Sequence, residues 1–332
     1  MHLTRVRGIL SESVMDDFLH DNLIIAVVRG GRGEFISRSL SAGSAIVRTL
    51  ADVATILDVF VDSAGVWHIA GVPKKQGDIV NRAHVLISTI PVAEAYREDT
   101  FHSSICDIVP SLGTGSVEVA LLARVPCLYD TLGRGGVRTP RMRVYHDDGP
   151  DGWGGVASDI FRTLPLPVVM RPVLDEFPDE VPNAPIKDYD GIFSVLHTYG
   201  ANSNFEGIVA EEYVRGKRVT VYVIDGFRGE ASYVVPHVYT FEVEANMSVP
   251  VSIAESRYAQ ETARMAYDAL DINGFARFDM VLGPSGAYVL GVYTVPDISA
   301  SSPIHRALES VGTDSKKLMI HMVNRALERH LG

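Results

Sequence analysis

The sequence predicts an α/β domain followed by an α+β half, and three observations lead to this prediction. Short apolar runs alternate with segments of helical periodicity in the first 135 residues, which is typical of an open parallel sheet with helices on its faces. A stretch rich in proline and glycine interrupts this alternation at 133–160. Beyond residue 207, strand patterns follow one another across short turns, with amphipathic helices between them.

The first domain is predicted to begin with a buried strand. The run LIIAVV at 23–28 is continuously apolar, as expected for a strand that is covered on both faces. The glycines that follow it predict a turn. Helical periodicity at 39–54 and 117–125 predicts two helices, and the short apolar runs at 58–62 and 84–89 predict two further strands.

The later segments are assigned from the same signals. Turn residues dominate 133–160, which predicts a linker or surface loop. A strand is predicted at 164–172, and the acidic, proline-rich stretch 173–190 predicts an exposed loop. The last block is predicted to contain strands at 207–214, 218–225 and within 229–241, a helix at 256–271, a hairpin of 274–283 and 286–295, and a C-terminal helix at 316–331. The predicted division is an N-terminal domain (1–135), a central lobe (136–206) and a C-terminal lobe (207–332).

Composition and charge limit the classes of function. The formal net charge of −11 argues against a nucleic-acid partner, because phosphate binding needs a basic face. The sequence has no stretch of about 18 apolar residues, so no membrane-spanning helix is expected. Its first residues lack the apolar core of a secretory signal. Two cysteines, Cys106 and Cys127, are too few for a disulfide framework, which favours a reducing, cytoplasmic location.

Several strings along the chain occur in a characteristic order. The α/β block is followed by VVMRP, then AEEYVRGKRVTVYVI, then GFARFDMVL and YVLGVYTVPDISASS. This order resembles the D-alanine–D-alanine ligases of the ATP-grasp superfamily over most of the chain, and most weakly between 130 and 205. The resemblance implies the ATP-grasp fold, preceded by an N-terminal Rossmann-like domain.

The same resemblance implies a reaction. ATP would bind between two antiparallel sheets and phosphorylate the carboxylate of one D-alanine, or of a similar amino acid. The amine of a second amino acid would then displace phosphate and form a dipeptide for a peptidoglycan precursor. ATP and Mg²⁺ are the implied cofactors, because metal ions held by oxygen ligands neutralise a triphosphate. A homodimer is compatible with this assignment, but the sequence leaves the assembly open.

Arg277 and Asp279 are the first site candidates. They lie in GFARFDMVL, which matches the family strand that carries a cation and a metal ligand. The match assigns stabilisation of the tetrahedral oxyanion to Arg277 and magnesium binding to Asp279. Residues two apart on a strand point to the same face, which agrees with a shared site. A surface ion pair without a function is the alternative.

Two strings imply nucleotide-binding residues. VVMRP places Arg171 where the family has a lysine on the ATP phosphates, although a planar guanidinium is not equivalent to an ammonium group. AEEYV implies backbone contacts with adenine from Glu212 and Val214, with Glu211 as a polar partner. For the two glutamates, the alternative is a solvated end of a strand.

Two residues are implied as ligands of the amino-acid substrates. Glu34 lies close to the position of the family glutamate that binds the amine of the first substrate. Direct alignment puts Phe35 at that position, and a shift of one residue restores Glu34. Ser302 matches the serine that binds the carboxylate of the second substrate, and a serine that caps a helix or turn is the alternative.

Four features depart from the family pattern. Gly291 and Tyr293 occupy the positions of a metal-binding glutamate and asparagine, and neither offers an oxygen suited to magnesium. Arg218 replaces an acid that accepts hydrogen bonds from the ribose hydroxyls, which arginine cannot do. The acidic string LDEFPDE at 174–180 replaces the phosphate-binding loop. Asp297 is considered as a compensating carboxylate.

Three hypotheses for the function remain open from the sequence. The first is an ATP-dependent carboxylate–amine ligase of the D-alanine–D-alanine type. The second is a catalytically degenerate pseudoenzyme that binds a partner or small molecule without turning over ATP. The third is an ATP-grasp enzyme with a different substrate or nucleotide. The retained residues Arg277, Asp279, Arg171 and Ser302 favour the first and third hypotheses. The four departures favour the second hypothesis and predict weak or absent binding of magnesium and ATP.

Overall fold

The structure is a computed structural model, and it describes most but not all of the chain. The described residues are 19, 22–31, 36–90, 108–112, 121–122, 124–146, 152–173, 185–200, 207–236, 238–240 and 251–331. Three of the sequence features discussed above, Glu34, Cys106 and the acidic string at 174–180, lie outside these residues.

The N-terminal domain is built on a mixed sheet that is parallel at its centre. Its strands are β1 (Ile24–Gly30), β2 (Thr55–Val61), β3 (Trp67–Ile69), β4 (Val72–Lys74), β5 (Val85–Ser88) and β6 (Ser111–Leu112), with helices α1 (Ile36–Leu50) and α2 (Gln76–Val80). Within the described residues the order is β4-β3-β2-β1-β5-β6. Strands β2, β1, β5 and β6 are parallel. The antiparallel edge formed by β3 and β4 corrects the expectation of a wholly parallel sheet.

The middle of the chain is more regular than the sequence indicated. It contains α3 (Val125–Arg134), β7 (Met142–His146), α4 (Trp153–Thr163), β8 (Val168–Pro172), α5 (Tyr189–Gly200) and β9 (Gly207–Glu212). The linker predicted at 133–160 is therefore wrong for β7 and most of α4. Glycines hid the helical spacing of the buried Trp153, Ala157 and Ile160.

The C-terminal part confirms the predicted hairpin. It contains β10 (Lys217–Asp225), β11 (Ser232–Val234), β12 (Tyr239–Thr240), α6 (Ile253–Ala269), β13 (Phe275–Gly283), β14 (Gly286–Tyr293), α7 (Ile304–Glu309) and α8 (Ser315–Leu331). Strands β13 and β14 pair antiparallel around a turn that ends at Gly286, whose φ of 133° favours glycine. We call β7–β9 the central sheet and β10–β14 the C-terminal sheet.

The pairing of β9 bears on the predicted boundary between the central lobe and the C-terminal lobe. Strand β9 lies between β7 and β8 in an antiparallel sheet, so the strand that begins at Gly207 is part of the central sheet. The predicted boundary at 206 and 207 thus divides β9 from its partners. We propose that the C-terminal unit begins near residue 213 instead.

Four hydrophobic cores occur in the described residues, and three of them hold the helices against the sheets that border the site. Helices α4 and α5 cover one face of the central sheet, with Trp153, Ile160 and Ile192 fully or almost fully buried. Helix α6 covers one face of the C-terminal sheet through alanines such as Ala259 and Ala263. Helix α8 packs with β1, β5 and α1 in a third core. The faces of the central and C-terminal sheets that these helices do not cover are directed at the space between the two sheets.

Candidate functional site

A pocket lies between the central sheet and the C-terminal sheet. Strands of both sheets and the segment that joins β9 to β10 form its wall. The lining residues are Pro140, Val169, Arg171, Glu211, Glu212, Tyr213, Val214, Arg218, Val281 and Leu290. The structure thus brings together all four residues that the sequence assigned to a nucleotide, namely Arg171, Glu211, Glu212 and Val214.

One face of the central sheet is directed at this pocket. Alternation along β8 puts Val169 and Arg171 on the same face. Their neighbours Val168 and Met170 pack in the core against α4 and α5. Glu211 is the cross-strand partner of Val169, and such partners share a face. Arg171 and Glu211 therefore meet on the pocket side of the sheet.

Arg171, Glu211 and Tyr129 form a buried hydrogen-bonded group. The Arg171 and Glu211 side chains are 3% and 6% exposed and form an ion pair. The Tyr129 hydroxyl accepts a hydrogen bond from Arg171 Nη2 at 2.8 Å and lies 3.2 Å from its acceptor, Glu211 Oε2. It also lies 3.3 Å from the carbonyl oxygen of Leu290 on β14. Helix α3 thereby connects the two sheets through one side chain.

Burial determines the protonation of this group. It raises the pKa of the Tyr129 hydroxyl well above its ordinary value, so the hydroxyl stays protonated and donates. Burial also raises the pKa of the Glu211 carboxyl, while the charge of Arg171 opposes that shift. The Arg171 guanidinium is committed to protein partners, and a phosphate would have to compete with Glu211 for it. Glu211 is not a solvated strand end.

The segment after β9 is held firmly along the edge of the pocket. Glu212 accepts hydrogen bonds from Arg141 Nε at 2.7 Å and from the Arg141 backbone N–H at 3.1 Å. The Tyr213 N–H donates to the carbonyl oxygen of Pro167 at 3.0 Å. Glu212 is therefore paired, and Val214 contributes an apolar contact surface beside it.

A second group of polar residues lies on one face of the C-terminal sheet. Arg277 donates to both carboxylate oxygens of Asp279 at 3.0 and 2.8 Å, so the two side chains share a face as predicted. Thr220, the cross-strand partner of Asp279 on β10, donates its hydroxyl to Asp279 Oδ1 at 2.7 Å. The Arg277 and Asp279 side chains are 17% and 24% exposed, so a ligand can reach them.

The same face continues to the pocket. Arg218 lies two residues before Thr220 on β10 and is paired with Val281 on β13. Because alternate residues of a strand share a face, Arg218 and Thr220 point the same way, as do Val281 and Asp279. Arg218 and Val281 line the pocket. The pocket and the Arg277–Asp279 pair are therefore neighbours on one surface.

Gly291 and Tyr293, the two residues that depart from the expected metal ligands, lie beside this pair. Gly291 is the cross-strand partner of Asp279 and Tyr293 that of Arg277. The Arg277 guanidinium lies 4.9 Å from the centroid of the Tyr293 ring, a cation–π contact. Tyr293 thus orients Arg277 instead of binding an ion. Within the described part of the chain, no group of three His, Cys, Asp or Glu residues is placed to hold a metal ion.

An irregularity in β14 determines which of its side chains face the pocket and which face the core. The partner of Asp279 is Gly291 but the partner of Met280 is Val289, so Leu290 is an extra residue opposite the bond between them. Such a β-bulge reverses the alternation of the strand beyond it. Leu290 lines the pocket and Val292 packs in the core.

The two remaining candidates have structural roles. The Ser302 side chain is 9% exposed, and its Oγ lies 3.4 Å from the Ile304 N–H at the start of α7. This contact agrees with the alternative of a serine in a turn, since the N-cap residue of α7 is Pro303, and the substrate role stays a prediction. Asp297 accepts a hydrogen bond from the Ser299 N–H at 2.9 Å. It stabilises a turn, and it forms no part of a described metal-binding group.

Two residues of this region were missed from the sequence. Tyr129 is 82 residues from Glu211 in the chain, and its segment was not predicted to be helical. Thr220 lies on a predicted strand, and its hydroxyl could have been recognised two positions from Arg218. Among the described residues, no helix is long and apolar enough to cross a membrane.

Comparisons with known proteins agree on one family. The model described as "D-ala D-ala ligase C-terminus" matches residues 199–324. The D-alanine–D-alanine ligase of Carboxydothermus hydrogenoformans is 26% identical over 330 residues, covering 92% of this chain and 98% of the relative. The enzyme of the same name from Synechococcus is 26% identical over 232 residues, covering 67% of this chain and 69% of that one.

Solved structures show the same fold. The D-alanine–D-alanine ligase of Coxiella burnetii superposes with a TM-score of 0.73 at 17% identity, covering 93% of this chain and 95% of its own. The ligase of Bacillus anthracis complexed with ATP has a TM-score of 0.69 at 17% identity, covering 92% of this chain and 98% of its own.

Proposed function

We propose that the chain is an ATP-dependent carboxylate–amine ligase, since its C-terminal part matches the D-alanine–D-alanine ligase model and it shares the fold of solved D-alanine–D-alanine ligases. In the proposed reaction, the carboxylate of one amino acid takes the γ-phosphoryl group of ATP, and ADP leaves. The amine of a second amino acid then attacks the acyl phosphate. A C–N bond forms, phosphate leaves with the electrons of the C–O bond, and the ammonium proton passes to solvent. D-alanine is the proposed substrate, and the dipeptide would serve a peptidoglycan precursor.

One observation carries this proposal: an accessible arginine lies beside a pocket between the two sheets. Arg277 shares its sheet face with the residues that line the pocket. A preorganised cation next to a bound acyl phosphate stabilises the negative charge that develops on the tetrahedral intermediate. Tyr293 and Asp279 hold the guanidinium in one orientation, which reduces the reorganisation needed during the reaction.

The pocket suits an adenine ring. Val169, Val281 and Leu290 offer apolar surface on both sides, and flat apolar walls with a few polar groups are typical of such sites. The segment Glu212–Val214 forms one edge, where backbone groups would recognise the base. The paired Arg171 and Glu211 shape the floor without offering a spare charge.

The residues present do not fit the pair of magnesium ions that the family implies. Asp279 already receives hydrogen bonds from Arg277 and Thr220. Gly291 and Tyr293 supply no carboxylate or amide oxygen next to it, and magnesium demands several oxygen ligands at octahedral positions. We therefore assign no step of the reaction to a metal ion, and we expect weaker binding of magnesium and ATP than is usual for the family.

The test is formation of product from ATP and D-alanine. The purified chain is incubated with both, ADP is quantified, and the dipeptide is identified by mass spectrometry, with L-alanine as the control substrate. The proposal predicts ADP and D-alanyl-D-alanine in equal amounts, and loss of both in Arg277→Gln. ADP that forms equally without any amino acid, or no dipeptide with any of a panel of D-amino acids, would contradict it.

The binding-only alternative rests on the missing ligands at Gly291 and Tyr293, and the family comparisons do not favour it. A thermal-shift titration with ATP tests the metal site separately from turnover. Under the ligase proposal, ATP stabilises the chain, and magnesium adds little to that stabilisation. Strong stabilisation at micromolar ATP that needs magnesium and is abolished by Asp279→Ala would show that the metal site is intact.

A further inference from the structure

The cations that line the pocket are not equivalent. Arg171 is almost completely buried and neutralised by Glu211. The neighbouring carboxylate of Glu212 is neutralised by Arg141. Arg218 is half-buried in the wall, and no carboxylate of the described residues forms an ion pair with it. The lining of the pocket therefore carries one positive charge that no described carboxylate compensates, in a chain whose net charge is −11.

Strand geometry explains why Lys217 has an ion-pair partner among the described residues while the adjacent Arg218 has none there. Lys217 points to the opposite face of β10 and forms an ion pair with Glu255 on α6 at 2.9 Å. Arg218 is paired with Val281 and faces the pocket. Val281 and Leu290 beside it lower the local dielectric constant, and this strengthens any attraction between the guanidinium and an anion.

We propose that Arg218 is the anion-recognition residue of this pocket and binds a phosphate group of the nucleotide. The inference rests on the proposed function, which places the nucleotide here, and it adds which residue holds the charge. Arg171 cannot serve unless Glu211 releases it, whereas no carboxylate of the described residues has to release Arg218. A guanidinium offers two parallel N–H donors to phosphate oxygens. From Arg218, the same sheet face leads past Thr220 to Asp279 and Arg277, where phosphoryl transfer would take place.

The experiment measures binding of three probes by calorimetry to the wild type and to two variants. ATP has base and phosphates, adenosine has the base alone, and inorganic pyrophosphate has the anion alone. Arg218→Gln removes the proposed contact. Lys217→Gln is the matched control, because it removes the adjacent positive charge on the same strand but on the other face.

We expect Arg218→Gln to weaken the affinity for ATP and for pyrophosphate by at least about tenfold, as befits a lost charge-assisted hydrogen bond. Its affinity for adenosine should stay unchanged. Lys217→Gln should bind all three probes like the wild type, and Arg218→Lys should restore part of the pyrophosphate affinity. Increasing salt should weaken binding of ATP to the wild type more than to Arg218→Gln.

Three results would overturn the inference. These are unchanged affinity of Arg218→Gln for ATP and pyrophosphate, an equal loss of adenosine affinity, or a wild type that binds none of the anions. The proposed function is judged separately by dipeptide formation. A chain that binds ATP through Arg218 but makes no dipeptide would sink the ligase proposal and leave this inference standing. An active ligase whose KM for ATP is insensitive to Arg218→Gln would support the ligase proposal and overturn the inference about Arg218.

Discussion

Two arginine–carboxylate pairs, one in each sheet at the cleft, show how burial changes what an ion pair can do. Arg171–Glu211 in the central sheet is almost completely buried, and Tyr129 closes it. Arg277–Asp279 in the C-terminal sheet keeps 17% and 24% of its side chains exposed. The first pair has exchanged water for protein partners, and the second can still exchange partners with a ligand.

The difference follows from desolvation. Removing one member of a buried pair leaves an uncompensated charge in a medium that cannot solvate it. At a partly exposed pair, water replaces the lost partner at little cost. We therefore regard Arg171–Glu211 as a fixed part of the pocket floor and Arg277–Asp279 as the pair that takes part in chemistry.

The largest effect on stability is expected for Glu211→Ala. It strands the Arg171 guanidinium, and the free energy of unfolding should fall by about 3–5 kcal/mol. Urea denaturation measures this, with Asp279→Ala as the control, for which a loss of about 0–1 kcal/mol is expected. Equal losses for the two variants would remove the distinction between the pairs.

When activity is measured instead of stability, the larger effect should come from the Arg277–Asp279 pair. Arg277→Gln should lower kcat by roughly 10²–10³, the usual consequence of losing one group that stabilises an oxyanion, while urea denaturation changes little. The steady-state rate of ADP formation provides the measurement, and Arg134→Gln, which removes the exposed partner of Asp130 on α3, is the control. A kcat within a factor of two of wild type would exclude Arg277 from the reaction.

Tyr129→Phe tests whether the Tyr129 hydroxyl stabilises the buried Arg171–Glu211 pair. The substitution deletes the hydroxyl that serves Arg171 and Glu211, and it should destabilise the fold by about 1–3 kcal/mol. Tyr145→Phe is the matched control, because its hydroxyl also donates to a carboxylate, that of Asp159 at 2.6 Å, in a less buried place. We expect a smaller loss there, and a larger loss would show that Tyr129 is not part of a connected group.

The smallest effect concerns a third, more exposed pair, Lys217–Glu255. Hydrogen bonds from Ser252 and then Lys217 lower the pKa of Glu255 from 4.5 to about 2. Since the folded-state pKa is depressed, the associated stabilisation is complete above about pH 4.5 and is lost as the pH falls towards 2. Melting temperatures measured across this window should depend less on pH in Glu255→Gln than in the wild type. Identical pH profiles would show that this pair contributes nothing.

Much of the fold could be predicted because local signals agree with one another. At β13 and β14, alternation and the turn at Gly286 both indicate a hairpin, and the structure confirms it. At α4, the glycines Gly154 and Gly155 argued against the helix that Trp153 and Ile160 stabilise through tertiary burial. There the packing overrode the local preference.

The candidate site could be predicted only as a list of positions. The spacing of Arg277 and Asp279 was sufficient to place them on one face. Glu211 neutralises Arg171 only because β8 pairs with β9. Tyr129 reaches the same group from a helix that is distant in sequence. Partners separated by tens of residues leave no local periodic signal, so the charge balance of the pocket had to come from the structure.

The bulge at Leu290 sets the parity of the C-terminal sheet. Because Leu290 is the extra residue, Gly291, Val292 and Tyr293 keep their partners Asp279, Phe278 and Arg277 with or without it. Deleting Leu290 would therefore leave Val292 in the core and Tyr293 beside Arg277. Deleting the paired Val292 instead would bring Tyr293 opposite Phe278 and into the core, and Arg277 would lose the ring against which it packs. Two deletions at almost the same place in β14 would thus have opposite consequences, because only the second exchanges the inner and outer surfaces of the strand's end.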